Sequence, residues 1–74
     1  MARLPVVSGR ELVRALEKTG YVLDRQKGSH MVLRQSEAPF RRVTVPDHKE
    51  IAKGTLRSIL RHVGLTADEL IELL

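Results

Sequence analysis

The chain has no cysteine and no tryptophan, and its only aromatic side chains are Tyr21 and Phe40. The missing cysteines exclude a disulfide framework and a cysteine-based zinc site, and they fit a reducing cytoplasm. Two rings are too few for a base-stacking platform on a sheet face. No apolar run approaches the roughly 20 residues of a membrane span, and the N-terminus lacks the apolar core of about 7 to 15 residues that marks a signal peptide. A cytoplasmic protein without membrane contact is therefore expected. Internal repeats, low-complexity tracts and linkers are absent as well. The 74 residues, beginning with methionine, read as one small domain, 1–74.

Positive charge is in excess. The formal net charge is +4 and the pI about 10.1. The distribution is uneven, because residues 65–74 hold Asp68, Glu69 and Glu72 and no Lys or Arg. That leaves 13 basic against 6 acidic side chains, or +7, in residues 1–64. Such a body suits a polyanionic partner. A soluble domain that merely happens to be basic has the same composition, so the positions of the charges must decide.

Ser8-Gly9-Arg10-Glu11 reads as a capping box opening a first helix, which Gly20 ends. Leu12, Val13 and Leu16 form its apolar stripe, while Arg10, Arg14 and Lys18 lie nearly opposite. Three segments of strand character follow, Tyr21 to Gln26, His30 to Gln35 and Phe40 to Pro46, joined through Lys27-Gly28-Ser29 and Ser36 to Pro39. An antiparallel meander is the economical arrangement. The period of two places Met31, Leu33, Val43 and Val45 on a packed face, and His30, Val32, Arg34, Arg42 and Thr44 on an open one. A second helix opens near Gly54-Thr55, carries Leu56, Ile59, Leu60 and Val63 inward, and stops at Gly64. Thr66-Ala67-Asp68-Glu69 is a further capping box, starting a short terminal helix whose Leu70, Ile71, Leu73 and Leu74 need a docking place. The fold class is thus α+β, in the order α-β-β-β-α with a short extra C-terminal helix. A three-stranded antiparallel sheet would have its helices on one face, as in the double-stranded RNA-binding domain.

Within this frame Arg25-Gln26-Lys27-Gly28-Ser29-His30 is the segment richest in chemistry. Histidine is the side chain type whose unperturbed pKa, about 6.5, suits taking and giving protons near neutrality, and His30 supplies one here. Gly28 lets backbone N–H groups approach an anion closely. Lys27, Arg25 and Arg34 are the nearby cations. Arg34 is the better candidate if it shares the open face with His30, with Arg25 then bracing the hairpin. Arg42 belongs to the same face, and Lys53 and Arg57 form a second cationic locus with Lys49 and Arg61, around a helix N-terminus that favours phosphate. His30 equally has a structural role open to it, as a strand-edge histidine bracing the turn. His48, in Pro46-Asp47-His48, can complement His30 as acid or base or simply brace its loop. Nothing in the sequence brings it within the roughly 3 Å that proton transfer requires. His62 reads as a half-exposed residue on the second helix.

Several motifs in register along nearly the whole chain resemble the HicA-type, or YcfA-like, toxin family. They are Ser8-Gly9 with Glu11, Gly20-Tyr21, Arg25-Gln26 followed by Gly28-Ser29-His30, Pro46 with His48, Gly54-Thr55-Leu56 with Ile59-Leu60, and Gly64-Leu65-Thr66. The resemblance implies a ribosome-independent mRNA endoribonuclease, or mRNA interferase, with a double-stranded RNA-binding-like fold. It makes His30 the catalytic histidine and a HicB-like antitoxin the cognate partner.

RNA carries its own nucleophile, the 2′-hydroxyl, beside each phosphate, so an acid, a base and cations suffice and no cofactor or metal is expected. A metal-dependent nuclease would have only Asp47 and Glu50 as close acids outside the helices. The rival from another class is a noncatalytic RNA- or DNA-binding module using the same basic face. A pure protein-interaction domain would account for the apolar terminal helix but leaves the basic body unused.

Overall fold

The computed structural model describes residues 3–74. It contains α1 (Gly9–Glu17), β1 (Tyr21–Lys27), β2 (His30–Gln35), β3 (Arg42–Pro46), α2 (Lys53–Val63) and α3 (Ala67–Leu73). The strands form one antiparallel sheet in the order β1-β2-β3. This is the α+β class and the α-β-β-β-α order read from the sequence, with the extra helix at the end. Among the described residues no helix is long and apolar enough to cross a membrane.

Both capping boxes form. The Ser8 hydroxyl accepts from the Glu11 N–H at 3.1 Å while the Glu11 carboxylate accepts from the Ser8 N–H at 2.8 Å. The Ser8 backbone N–H, and after it the hydroxyl, hold the Glu11 carboxyl below its ordinary pKa. Thr66 and Glu69 repeat the exchange at 3.1 and 2.8 Å. Such reciprocal caps satisfy two otherwise orphaned donors, which matters most for helices of only 9 and 7 residues. By contrast α2, which begins at Lys53, has Ala52 as its N-cap and so no side-chain cap.

The core lies between the helices and one sheet face. Leu12, Val13, Ala15 and Leu16 of α1 meet Met31 and Leu33 of β2, Val43 and Val45 of β3, and Leu56, Ile59 and Leu60 of α2. Burying each of the Leu, Ile, Val and Met side chains contributes about 1.5 to 3 kcal/mol, which a chain of this size needs. Leu70 is fully buried and fastens α3 to this core, whereas Ile71 and Leu74 stay exposed. The C-terminal helix therefore docks on its own domain through one side chain above all. Among the described residues no helix covers the opposite face of the sheet.

Two strand boundaries differ from the sequence pattern. β3 begins at Arg42, not Phe40, because Phe40 has φ +56° and leaves extended geometry. β1 continues to Lys27, since the turn consumes only Gly28 and Ser29. β1 also holds an irregularity: Leu23 faces Leu33 and Arg25 faces Val32, so Asp24 is an extra residue, a β-bulge.

Gly9 sits where α1 passes the exit of β3. A Cβ on it would overlap the Pro46 carbonyl oxygen, and its N–H donates to the His48 carbonyl at 2.8 Å. Ile51 N–H to the Val7 carbonyl at 2.9 Å extends the same seam. Gly9→Ala should therefore lower stability by about 1 to 3 kcal/mol through overpacking, against alanine's better helix propensity. Urea unfolding should show a lower midpoint at unchanged m-value. A midpoint at or above wild type would mean that helix and loop can part at no cost.

Candidate active site at the hairpin mouth

Gly28 and Ser29 make a two-residue turn with Gly28 at φ +59°, the pattern of a type II′ hairpin that glycine alone enters freely. Lys27 and His30 face each other across its mouth, and His30 faces Pro46 on the other side. The Asp47 N–H continues this ladder by donating to the Ser29 carbonyl at 2.6 Å.

Asp47 also joins more distant segments. Its carboxylate accepts from Arg10 Nε at 3.3 Å and Nη2 at 3.4 Å, and from Gln26 Nε2 at 3.1 Å. Gln26 Nε2 in turn lies 3.2 Å from the Gly28 carbonyl. One aspartate thus links α1, β1, the turn and the end of β3. The Arg10 guanidinium holds its carboxyl below the ordinary aspartate pKa, with Gln26 adding to the effect against the opposing cost of desolvation.

Directly paired residues share a sheet face, so the register settles where the candidates stand. Lys27 and His30 lie in one row with Pro46, and Arg25 lies in the next with Val32 and Thr44. His30, Lys27, Arg25, Gly28 and Ser29 are all exposed. The His30 ring has no hydrogen-bond partner among the described residues. Arg34 is on the same open face but four residues along β2, about 13 Å at the usual rise. Its register partner on β1 is Val22, and its side chain reaches Asp24, with Nε 3.5 Å from Oδ1, while its Nη1 lies 3.4 Å from the Gln35 carbonyl. Arg42, directly across from Arg34, donates Nη1 to Asp24 Oδ2 at 2.8 Å. The sheet face therefore holds two cationic groups, one with His30 and one around Asp24. Lys53 and Arg57 are exposed on α2, which packs beside β3.

Backbone hydrogen bonding holds His48 in place. Its carbonyl accepts from Gly9, and its segment runs beside the turn through the Asp47–Ser29 bond. Its ring is exposed, and no hydrogen bond joins it to His30 among the described residues. His62 has a structural contact: its Nε2 lies 2.8 Å from the Arg42 carbonyl, tying α2 to β3. Among the described residues no three His, Asp or Glu side chains gather as a metal would require.

Gly9, Asp24 and the Arg10–Asp47–Gln26 clip escape sequence reasoning. Asp24 had a signal, being a lone carboxylate in a strand, where aspartate is depleted. Gly9 had one too, as a poor helix former at the first helical position. The clip had none, since Arg10 and Asp47 are 37 residues apart.

Fold and site together define a small α+β domain whose helices cover one sheet face and leave an unengaged imidazole among cations on the other. The family model described as HicA toxin of bacterial toxin-antitoxin matches residues 9–65, a span from Gly9 through α2 that includes all the candidate residues. The chain belongs to the HicA toxin family. That membership carries a toxin role and implies an antitoxin partner. No curated protein matches the chain.

The lowered pKa of Asp47 sets a pH dependence. A carboxyl whose folded-state pKa is depressed adds stability above its unfolded value of about 4. That stability is lost as pH falls through the folded value. Asp47→Asn should therefore unfold at lower urea than wild type near pH 6, and the two midpoints should converge as the pH drops below 4. A gap that stays constant with pH would place the stabilisation elsewhere.

Proposed function

We propose that residues 1–74 form a metal-independent mRNA endoribonuclease, a toxin held in check by a HicB-like antitoxin, and that His30 transfers protons at the scissile phosphate. The observation that carries this reading is the exposed His30 ring at the hairpin mouth, without a hydrogen-bond partner among the described residues, with Lys27 opposite and a glycine turn beside it.

In the reaction the 2′-oxygen attacks the adjoining phosphorus while its proton passes to a base. The bond from phosphorus to the 5′-oxygen then breaks, and that oxygen takes a proton from an acid. The product is a 2′,3′-cyclic phosphate and a free 5′-hydroxyl. His30 serves one of the two transfers, each typically worth about 10² to 10⁴-fold. Lys27 and Arg25 offset the charge that builds on the phosphorane, often the larger effect. The Gly28 amide and Ser29 steady a nonbridging oxygen. His48 is the candidate for the second transfer, favoured by the bond that lays its segment along the turn. Arg34, Arg42, Lys53 and Arg57 hold the flanking strand, mainly through phosphate and 2′-hydroxyl, as the scarcity of rings requires.

An acidic antitoxin surface covering this basic face would silence the enzyme, and charge steering would speed the encounter. The association rate should then fall several-fold as salt rises; a salt-independent rate would remove the steering.

The decisive experiment incubates wild type, His30→Ala and His30→Gln with RNA in EDTA. Wild type should produce 2′,3′-cyclic ends, and both variants should lose at least about 10²-fold in rate. Their unfolding midpoints should stay near wild type, as for other exposed positions. Cleavage retained by a folded His30 variant would overturn the assignment, and loss of wild-type activity in EDTA would overturn metal independence. Salt-sensitive RNA binding without cleavage would favour the noncatalytic binding module.

A further inference from the structure

The Asp24 cluster is a second polar assembly on the open sheet face, at the end of β2 remote from His30. Asp24 projects from the bulge in β1 and reaches both Arg34 and Arg42, across the central strand. The side chains are 29% exposed for Asp24, 38% for Arg34 and 59% for Arg42, so the arginines remain open to a ligand while the carboxylate is the more shielded partner. One negative charge set against two positive ones leaves the cluster at +1. Each guanidinium has five N–H donors, of which Asp24 and the Gln35 carbonyl occupy few. A carboxylate between two guanidiniums has the charge and acceptor geometry of a phosphate held by the same pair.

We propose that Arg34 and Arg42 form a second phosphate subsite, for a phosphate of the same RNA strand other than the one cleaved, and that Asp24 occupies this subsite until RNA displaces it. The proposal rests on the ribonuclease reading above. The feature that points beyond a purely structural ion pair is the arginines themselves: Arg34 and Arg42 directly oppose each other, a like-charge arrangement that weakens a sheet and that a bound phosphate turns into a grip. Asp24, at an extra residue in β1, relieves that repulsion when no phosphate is bound. The separation along β2, about 13 Å between the His30 and Arg34 backbones, is more than adjoining phosphates of one strand span. The subsite therefore grips substrates of several nucleotides and leaves a dinucleoside monophosphate, which has a single phosphate, to the His30 locus alone. Asp24 weakens that grip and favours release.

The test compares cleavage of a dinucleoside monophosphate and a hexanucleotide, reading the ratio of their KM values. Arg42→Gln and Arg34→Gln should each raise the hexanucleotide KM relative to the dinucleotide KM by about tenfold. Asp24→Asn should lower that ratio by about threefold. Wild-type ratios in the arginine variants, or a ratio raised by Asp24→Asn, would overturn the proposal. Equilibrium binding of a 2′-O-methyl hexanucleotide, which cannot be cleaved through its 2′-oxygen, separates this from failure of the ribonuclease reading. Losing one phosphate contact should reduce the slope of log affinity against log salt by about 1, whether or not the wild type cleaves RNA. An unchanged slope in both arginine variants would eliminate the subsite even if the nuclease is active. Thermal unfolding of each variant reports any loss of fold, and Asp24→Asn, which leaves both arginines in place, is the control for it.

Discussion

The open face of the sheet depends on how closely the first turn of α1 approaches the exit of β3. With no side chain at Gly9, its N–H reaches the His48 carbonyl, and the next residue, Arg10, meets Asp47. Asp47 then holds the Ser29 carbonyl through its own N–H and Gln26 through its carboxylate. A hairpin mouth is ordinarily among the looser parts of a sheet. Here it is tied to a buried helix terminus, so the position of His30 is set by the core.

The same sheet face divides its charge in two. Around His30 the cations have no carboxylate partner on their rows, whereas at the other end of β2 Asp24 draws Arg34 and Arg42 together. The division follows from strand geometry: residues in register share a face, and the bulge adds an acid, Asp24, that reaches Arg34 and Arg42. Exposed ion pairs of this kind contribute little to stability. Their consequence lies in the local charge, which Asp24 partly neutralises around Arg34 and Arg42.

Helix starts and strand faces were legible in the sequence because they rest on local chemistry. Ser8 with Glu11 and Thr66 with Glu69 are satisfied within one turn, and the alternation of Met31, Leu33, Val43 and Val45 needs only the pleat. The beginning of β3 was less legible, since nothing local announced that Phe40 would take a left-handed conformation. At the site the hairpin turn and the exposed histidine were readable. The sequence expectation linked Arg34 to His30 through their common face, but a shared face does not set distance along a strand, and the bulge beside them gives Arg34 another partner.

The sequence by itself determined the α-β-β-β-α order, the packed and open faces, and the family, because caps, period and motif spacing act between near neighbours in the chain. Tertiary structure alone decided that Gly9 must lack a side chain, that Asp47 clips the turn to α1, that His62 fastens α2 to β3, and that Asp24 spans the arginines. Each of these contacts joins elements far apart in sequence or depends on an irregular register, and only the packing of helices against a twisted sheet brings such groups within bonding distance.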